Sequence, residues 1–223
     1  MALDQDGNYS DSLGISKIQK YAAMFGLDCK SGVEVPEAMP SISSTDAVRT
    51  SIGYYHNFAP IQISRYVTAV ANRGTVFNLT FVDRIQNKEE NTVEINSASV
   101  YNQIDMYSQK EWDAVQKGMY DVVNTSANSL DGLYGDLGFK VAGKTGTAQV
   151  SLTHPSHGLF ISFAPFSSPE VSVTVVLPNG YASANAAKLA REVYGLYFND
   201  ENKEALLSGD LTTTTVTNIS VSD

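Results

Sequence analysis

"GFKVAGKTGTAQ", residues 138–149, makes two incompatible demands on the backbone. Read from Gly138, it satisfies G-x-x-x-x-G-K-[ST], the loop that wraps backbone N–H groups around a nucleotide's phosphates and then opens a helix. Read from Lys144, it is Lys-Thr-Gly-Thr inside an extended strand. The neighbours decide between them. Phe139, Lys140, Val141 and Ala142 alternate as a strand does, where a curling loop favours Gly, Ser or Asn. After Thr145 come Gly146, Thr147, Ala148, Gln149 and Val150, so a glycine and β-formers stand where a helix would open. "VSVTVVLPNG", 171–180, runs into Pro178 and Gly180, whereas a nucleotide site has an Asp there for magnesium. A strand is expected through the motif, with no nucleotide and no cofactor.

A strand makes chemical use of these residue types. Gly143 and Gly146 remove side chains where a ligand could lie along the backbone. Lys144 sets a cation beside that track, able to pair with a carboxylate. Thr145 and Thr147 share a face at period two and offer two hydroxyls, and backbone N–H groups of the strand could stabilise an oxyanion. Gln149 stands at the mouth of the strand and is a further contact candidate. Lys-Thr-Gly is also a signature of serine acyl-transfer enzymes that react with β-lactams. An ordinary strand with a surface lysine has the same spacing, so spacing by itself leaves both readings open.

The rest of the chain sets bounds. With 223 residues and 43% hydrophobic content it can bury a substantial core as one domain or a large part of one. A net charge of −9 with no cluster of Lys and Arg argues against nucleic acid as a partner. The single Cys29 permits no intrachain disulfide and reads as a small packing residue. His154 and His157 in "HPSH" lack further ligands nearby, so a loop role is expected and no metal site. Glu34, Glu37, Asp83 and "KEEN" read as solvated charges, and most tyrosines as core or half-buried. No apolar run approaches the roughly 18 residues of a spanning helix, so the chain as it stands is expected to be soluble. Its polar start, "MALDQDGNYSDSLG", suggests a loop inside a longer protein.

Periodicity predicts a helix in "SLGISKIQKYAAMFGL", with Leu13, Ile18, Tyr21, Ala22 and Phe25 inward and Gly26 as the stop. A proline-bearing loop follows, then two helical pieces from Thr45, the second opening at Pro60, using Ile63, Tyr66, Val67 and Val70, and ending at Gly74. "TVFNLTFVDRIQ" and "NTVEINS" suggest a hairpin about "NKEEN". A helix capped by Ser108 and Glu111 presents Trp112, Val115, Met119 and Val122. Three strands follow, in "FKVAGKTGTAQV", "GLFISFAPF" and "EVSVTVVLP", then a last helix packing Ala187, Leu189, Ala190 and Val193, and a Thr-rich tail. The fold class is α+β, an antiparallel sheet flanked by helices.

Several blocks, in order, carry a resemblance: "YAAMFGLDCKSGVEVPE", "SIGYYHNFAPIQISRYVTAVANRG", "VAGKTGTAQ" and "HGLFISFAPFSSPEVSVTVVLPNG". Together they resemble the C-terminal part of the transpeptidase domain of class B penicillin-binding proteins, within the superfamily shared with serine β-lactamases. Tyr54 stands where that family has Gln, and Ala59 where it has Thr. No lysine here has a serine three residues before it, so the family's S-x-x-K nucleophile motif is missing. Ser126-Ala127-Asn128 and Ser183-Ala184-Asn185 match S-x-N but follow the "FG" block instead of preceding it, and read as loop composition and a helix start.

The resemblance implies a fragment over residues 1–223, with a tail from 201 to 223, of a peptidoglycan D,D-transpeptidase. Such an enzyme attacks a D-Ala-D-Ala stem peptide, or a β-lactam, with its serine and passes the acyl group to a second stem peptide. Lys144, Thr145 and Thr147 would hold the terminal carboxylate, Gly146 and Gln149 would line the same track, and the Thr147 N–H would be half of the oxyanion hole. The nucleophile is expected upstream of residue 1, so this chain by itself is expected to be inactive. Other cell-wall synthesis proteins are expected partners. The implied location is the extracytoplasmic face of a bacterial cytoplasmic membrane, through an anchor also upstream. The alternative is a non-catalytic transpeptidase-like module that binds wall peptides or a partner protein.

Overall fold

The structure is a computed structural model that describes residues 2–125, 130, 132–150 and 152–198. The Ser126–Asn128 match and the 201–223 tail lie outside the described residues. The chain divides into two compact units, Met1–Ser108 and Gln109–Asp223.

In the first unit, α1 (Asp11–Met24) is capped by the Ser10 hydroxyl, which accepts the Leu13 N–H, and the chain leaves it at Gly26 with φ +68. Of the face predicted for it, Leu13, Ile18, Ala22 and Phe25 are half-buried, and Tyr21 is the exception. Gly14 and Ile15 are the fully buried positions and Tyr21 is exposed; at Gly14 Ala47 approaches so closely that a Cβ there would lie 2.6 Å from the Ala47 Cβ. The short α2 (Ala47–Thr50) and α3 (Pro60–Ala71) are the two predicted helical pieces. Two polar side chains of α3 are fully buried, which periodicity does not foresee. Gln62 accepts the Ala59 N–H and donates to the Cys29 carbonyl, while Arg65 donates to the carbonyls of Gly26 and Ser31. They satisfy loop carbonyls that would otherwise be buried without donors.

The predicted hairpin exists as β2 (Arg84–Gln86) against β3 (Thr92–Ile95), but the run from Thr75 does not continue into it. Its first residues form β1 (Thr75–Phe77), which pairs with β4 (Val100–Gln103), a strand that the sequence patterns left unassigned. Glu34 is no free surface charge: its carboxylate accepts the Thr80 hydroxyl and the Phe81 N–H and holds the connection between β1 and β2. Glu37 likewise accepts the Gly32 N–H. Seven of the twelve tyrosines, Tyr9, Tyr21, Tyr54, Tyr55, Tyr101, Tyr181 and Tyr197, are exposed, contrary to expectation.

In the second unit, α4 (Gln109–Asn124) buries Trp112 and Met119 and packs half-buried Val122 against the core as predicted, with Gln116 and Val123 also buried, while the predicted Val115 is exposed. The three strands form one antiparallel sheet in the order β5 (Ala142–Ala148), β6 (His157–Ala164), β7 (Val171–Leu177). Helix α5 (Ser183–Phe198) lies on this sheet through Ala184, Ala186, Ala187, Ala190 and Tyr194, while the predicted Leu189 and Val193 face outward. Small alanines bring the helix close to the strands. The core they close includes Val141, Phe160, Val173 and Val175. Full burial of a side chain the size of Phe160 is worth about 1.5–3 kcal/mol. Tyr194 donates to the Ser162 hydroxyl at 2.8 Å and Tyr134 to the Ala187 carbonyl at 2.6 Å, so neither buried phenol is left unpaired. Burial pushes both phenol pKa values well above the ordinary tyrosine range.

Candidate functional site

Lys144, Thr145, Gly146 and Thr147 sit in the middle of β5, paired with β6 in unbroken register from Ala142 opposite Phe163 to Ala148 opposite His157. The chain is extended through Lys144 and Thr145, with no helix opening there, so the geometry of a phosphate loop is absent at this motif. Among the described residues β5 is an outer strand of its sheet, which leaves one backbone edge for a ligand that lies alongside it.

Opposed residues of an antiparallel pair share a face. Thr145 opposes Phe160 and Thr147 opposes Gly158, so the two threonines share a face, as predicted; Lys144, Gly146 and Ala148 lie on the other, with Ile161, Leu159 and His157. Lys144 is exposed, and its Nζ donates to the Thr145 carbonyl at 2.7 Å, holding the charge close to the strand backbone. An incoming carboxylate offers it a charged acceptor in place of a neutral one, the stronger hydrogen bond of the two. Thr147 is exposed, Thr145 and Gly146 are half-buried, and Gln149 lies just beyond the strand in exposed chain.

The two glycines differ in a way that residue type does not reveal. A Cβ on Gly143 would lie 2.4 Å from Cζ of Phe160, so this glycine makes room for a core ring and not for a ligand, correcting the expectation above. A Cβ on Gly146 would meet only the Leu159 Cβ at 3.5 Å, an ordinary contact. Packing within the fold does not require a glycine there, and the space beside Gly146 is open.

Three supports of the strand were not read from the sequence. Asn124, at the end of α4, donates from its amide to the Val141 carbonyl at 2.8 Å and fixes the chain where β5 begins. Gly158 lets the start of α5 close over β6: a Cβ there would lie 2.5 Å from the Ala182 carbonyl oxygen. Since Gly158 opposes Thr147, the start of α5 closes on the threonine face of the sheet. The glycine of "HGLF" was the available signal. His157 opens β6, and its Nδ1 accepts the Asn179 N–H at 2.9 Å, while Tyr181 N–H donates to the Ser156 carbonyl at 3.0 Å. These bonds fasten the turn after β7, with Asn179 at φ +55 and Tyr181 at φ +66, to the same end of the sheet. Among the described residues no group of three His, Cys, Asp or Glu is placed to hold a metal, and no helix is long and apolar enough to cross a membrane.

The family described as penicillin binding protein transpeptidase domain matches residues 7–195. The chain belongs to this family. The peptidoglycan D,D-transpeptidase MrdA of Haemophilus influenzae is 29% identical over 219 residues, covering 84% of this chain and 33% of that protein. Penicillin-binding protein 2A of Bacillus subtilis is 25% identical, covering 87% of the chain and 30% of that protein. The chain thus spans about a third of the length of these relatives. Among solved structures it is similar to Pseudomonas aeruginosa PBP2 in complex with WCK 5153, with a TM-score of 0.72, 25% identity, and coverage of 86% of this chain and 46% of the other. The fold is the α+β fold of penicillin-binding transpeptidase domains, and the K-T-G-T strand is part of it.

Proposed function

We propose that residues 1–223 are the C-terminal part of a peptidoglycan D,D-transpeptidase domain, with 201–223 as its tail, and that β5 is the strand along which stem peptide or β-lactam lies. The observation that carries this reading is the division of β5 into a threonine face backed by the α5 N-terminus and a lysine whose ammonium is held at the strand backbone. Lys144 and the hydroxyls of Thr145 and Thr147 would bind the terminal carboxylate, an arrangement of charge-assisted bonds suited to that group. Gly146 leaves the backbone open to close approach, and Gln149 flanks the track. The Thr147 N–H would donate to the oxyanion of the tetrahedral intermediate. A serine with its neighbouring lysine, S-x-x-K, would supply the nucleophile and accept the acyl group from D-Ala-D-Ala. No such pair occurs in this sequence, so the chain by itself binds without reacting.

The substrate class places the work at the extracytoplasmic face of a bacterial cytoplasmic membrane, beside other cell-wall synthesis proteins. Fluorescent-penicillin labelling on a denaturing gel tests the division of labour. A longer protein with S-x-x-K ahead of residue 1 is expected to carry one covalent label and this chain none. A stoichiometric label on this chain overturns the proposal; no label on either, with both folded, favours a binding module over an enzyme.

A further inference from the structure

One ring nitrogen at the end of the sheet can hold its partner in only one protonation state. His157 Nδ1 accepts the Asn179 N–H at 2.9 Å, so it presents a lone pair and the hydrogen of the ring is on Nε2. An imidazolium has two N–H donors and no acceptor, and cannot make this bond. The ring is half-buried at the first residue of β6, so water and a proton can reach it.

The bond fastens a turn whose backbone needs fastening. Asn179 has φ +55 and Tyr181 φ +66; asparagine tolerates a left-handed backbone, whereas a tyrosine keeps it only where its surroundings impose it. Gly180 between them has no room for a side chain, since a Cβ there would lie 2.6 Å from the Leu177 Cβ. The Tyr181 N–H donates to the Ser156 carbonyl at 3.0 Å, and the Gly180 carbonyl accepts the Ala182 N–H at 2.8 Å and the Asn185 side-chain amide at 2.9 Å. The turn is thus tied on one side to the start of β6 and on the other to the first turn of α5. The Ala182 carbonyl is the group that stands over Gly158, and Gly158 opposes Thr147. One turn and one ladder pair connect His157 to Thr147.

The titratable groups on the elements around the ring are Lys144 on the same face of β5, His154 in the loop before β6 and Tyr181 in the turn itself; β7 and the first turn of α5 carry none. No carboxylate among them offers the imidazolium a replacement for the bond it gives up. We propose that His157 is a positioning residue for β5, acting in its neutral form: it fixes the 178–182 turn, and through it the seat of α5 on Gly158 opposite Thr147, and protonation of the ring releases both. This rests on the reading of β5 as the strand along which a D-Ala-D-Ala peptide lies. The site is then fully ordered above the pH at which His157 takes up its proton and loosens below it.

NMR of the full chain from neutral to acid pH tests it, following the His157 ring together with the amides of Asn179, Gly158 and Thr147, with and without a pentapeptide ending in D-Ala-D-Ala. The three amides are expected to shift with the midpoint of the His157 ring itself, and peptide binding to weaken about fivefold across that midpoint, the effect of one hydrogen bond. His157→Asn keeps a side-chain carbonyl for the Asn179 N–H and has no proton to gain, so it is expected to remove the pH dependence and to retain the binding seen at neutral pH. His157→Ala has no acceptor and is expected to show the weaker binding at every pH. His154→Gln is expected to leave the dependence in place, because the His154 Nδ1 meets the Thr153 hydroxyl and not the turn. A Thr147 amide that stays still while His157 titrates overturns the proposal, as does a pH dependence that survives in His157→Asn or disappears in His154→Gln. If the peptide binds at no pH, the reading of β5 as the ligand strand falls, while the amide shifts still decide what His157 holds.

Discussion

Thr147 lies directly across the β5–β6 ladder from Gly158, the position over which the first turn of α5 closes. An alanine at 158 would drive its Cβ to 2.5 Å from the Ala182 carbonyl oxygen, a backbone atom that cannot swing aside. Gly158→Ala is expected to destabilise the fold by about 1–3 kcal/mol, the usual cost of overpacking. Urea unfolding checks it; an unchanged midpoint would show that α5 does not seat on Gly158.

The two motif glycines are expected to separate under the same substitution. Gly143→Ala collides with the Phe160 ring and should cost about 1–3 kcal/mol, whereas Gly146→Ala meets only ordinary contact and should leave the unfolding midpoint nearly unchanged. Binding of a D-Ala-D-Ala peptide reverses the order of interest. A stable Gly146→Ala protein that binds the peptide as well as the parent sequence does would remove Gly146 from the ligand track.

Helix α3 begins without a side-chain cap. Ala59 has the extended backbone of an N-cap, and Gln62 already accepts its N–H at 2.9 Å, so only the reciprocal half of a capping box is missing. Ala59→Thr supplies a hydroxyl for the first-turn donors and is expected to stabilise the chain by about 1 kcal/mol. A shift of the thermal midpoint upward checks it, and a fall would show that the added methyl has no room.

Asp11 holds α2 from a distance in sequence. Hydrogen bonds from the Ala47 N–H, the Tyr9 hydroxyl and the Asp46 N–H favour its ionised form, the first most strongly, and keep its pKa below the ordinary carboxylate value. A depressed folded pKa means that the unfolded chain binds the proton first as pH falls. The contribution is therefore fully present above roughly pH 4, the unfolded value, and is lost as pH drops through the lower folded value. Asp11→Asn is expected to lower stability at neutral pH and to flatten the acid limb. Unfolding midpoints measured from neutral to acid pH decide it, with an acid limb identical to that of the unsubstituted chain counting against the role.

The strands around the site were legible because Phe160, Ile161, Val173 and Val175 are β-branched or aromatic and sit between Pro- and Gly-rich turns. Helix positions were legible too, but their faces less so. In α5 the bulky Leu189 and Val193 point outward while alanines face the sheet, since close packing against strands rewards small residues over hydrophobic ones. The β1–β4 pair was invisible for another reason: Val100–Gln103 is short, and its partner lies a hairpin away in the chain.

The sequence by itself determined that Lys144–Thr147 runs as a strand, since alternation and β-propensity are local properties, and that Thr145 and Thr147 share a face, since a strand repeats every two residues. It determined the family through the order of its blocks. Only the tertiary structure decided which motif glycine makes room for a core ring and which has open space beside it, where the start of α5 stands relative to Thr147, and that Tyr54 and Tyr55 are presented to solvent beside the left-handed Gly53 and Tyr55. Each of these depends on what an atom meets from elsewhere in its unit. A glycine or a tyrosine carries no mark of that in its own neighbourhood of the sequence.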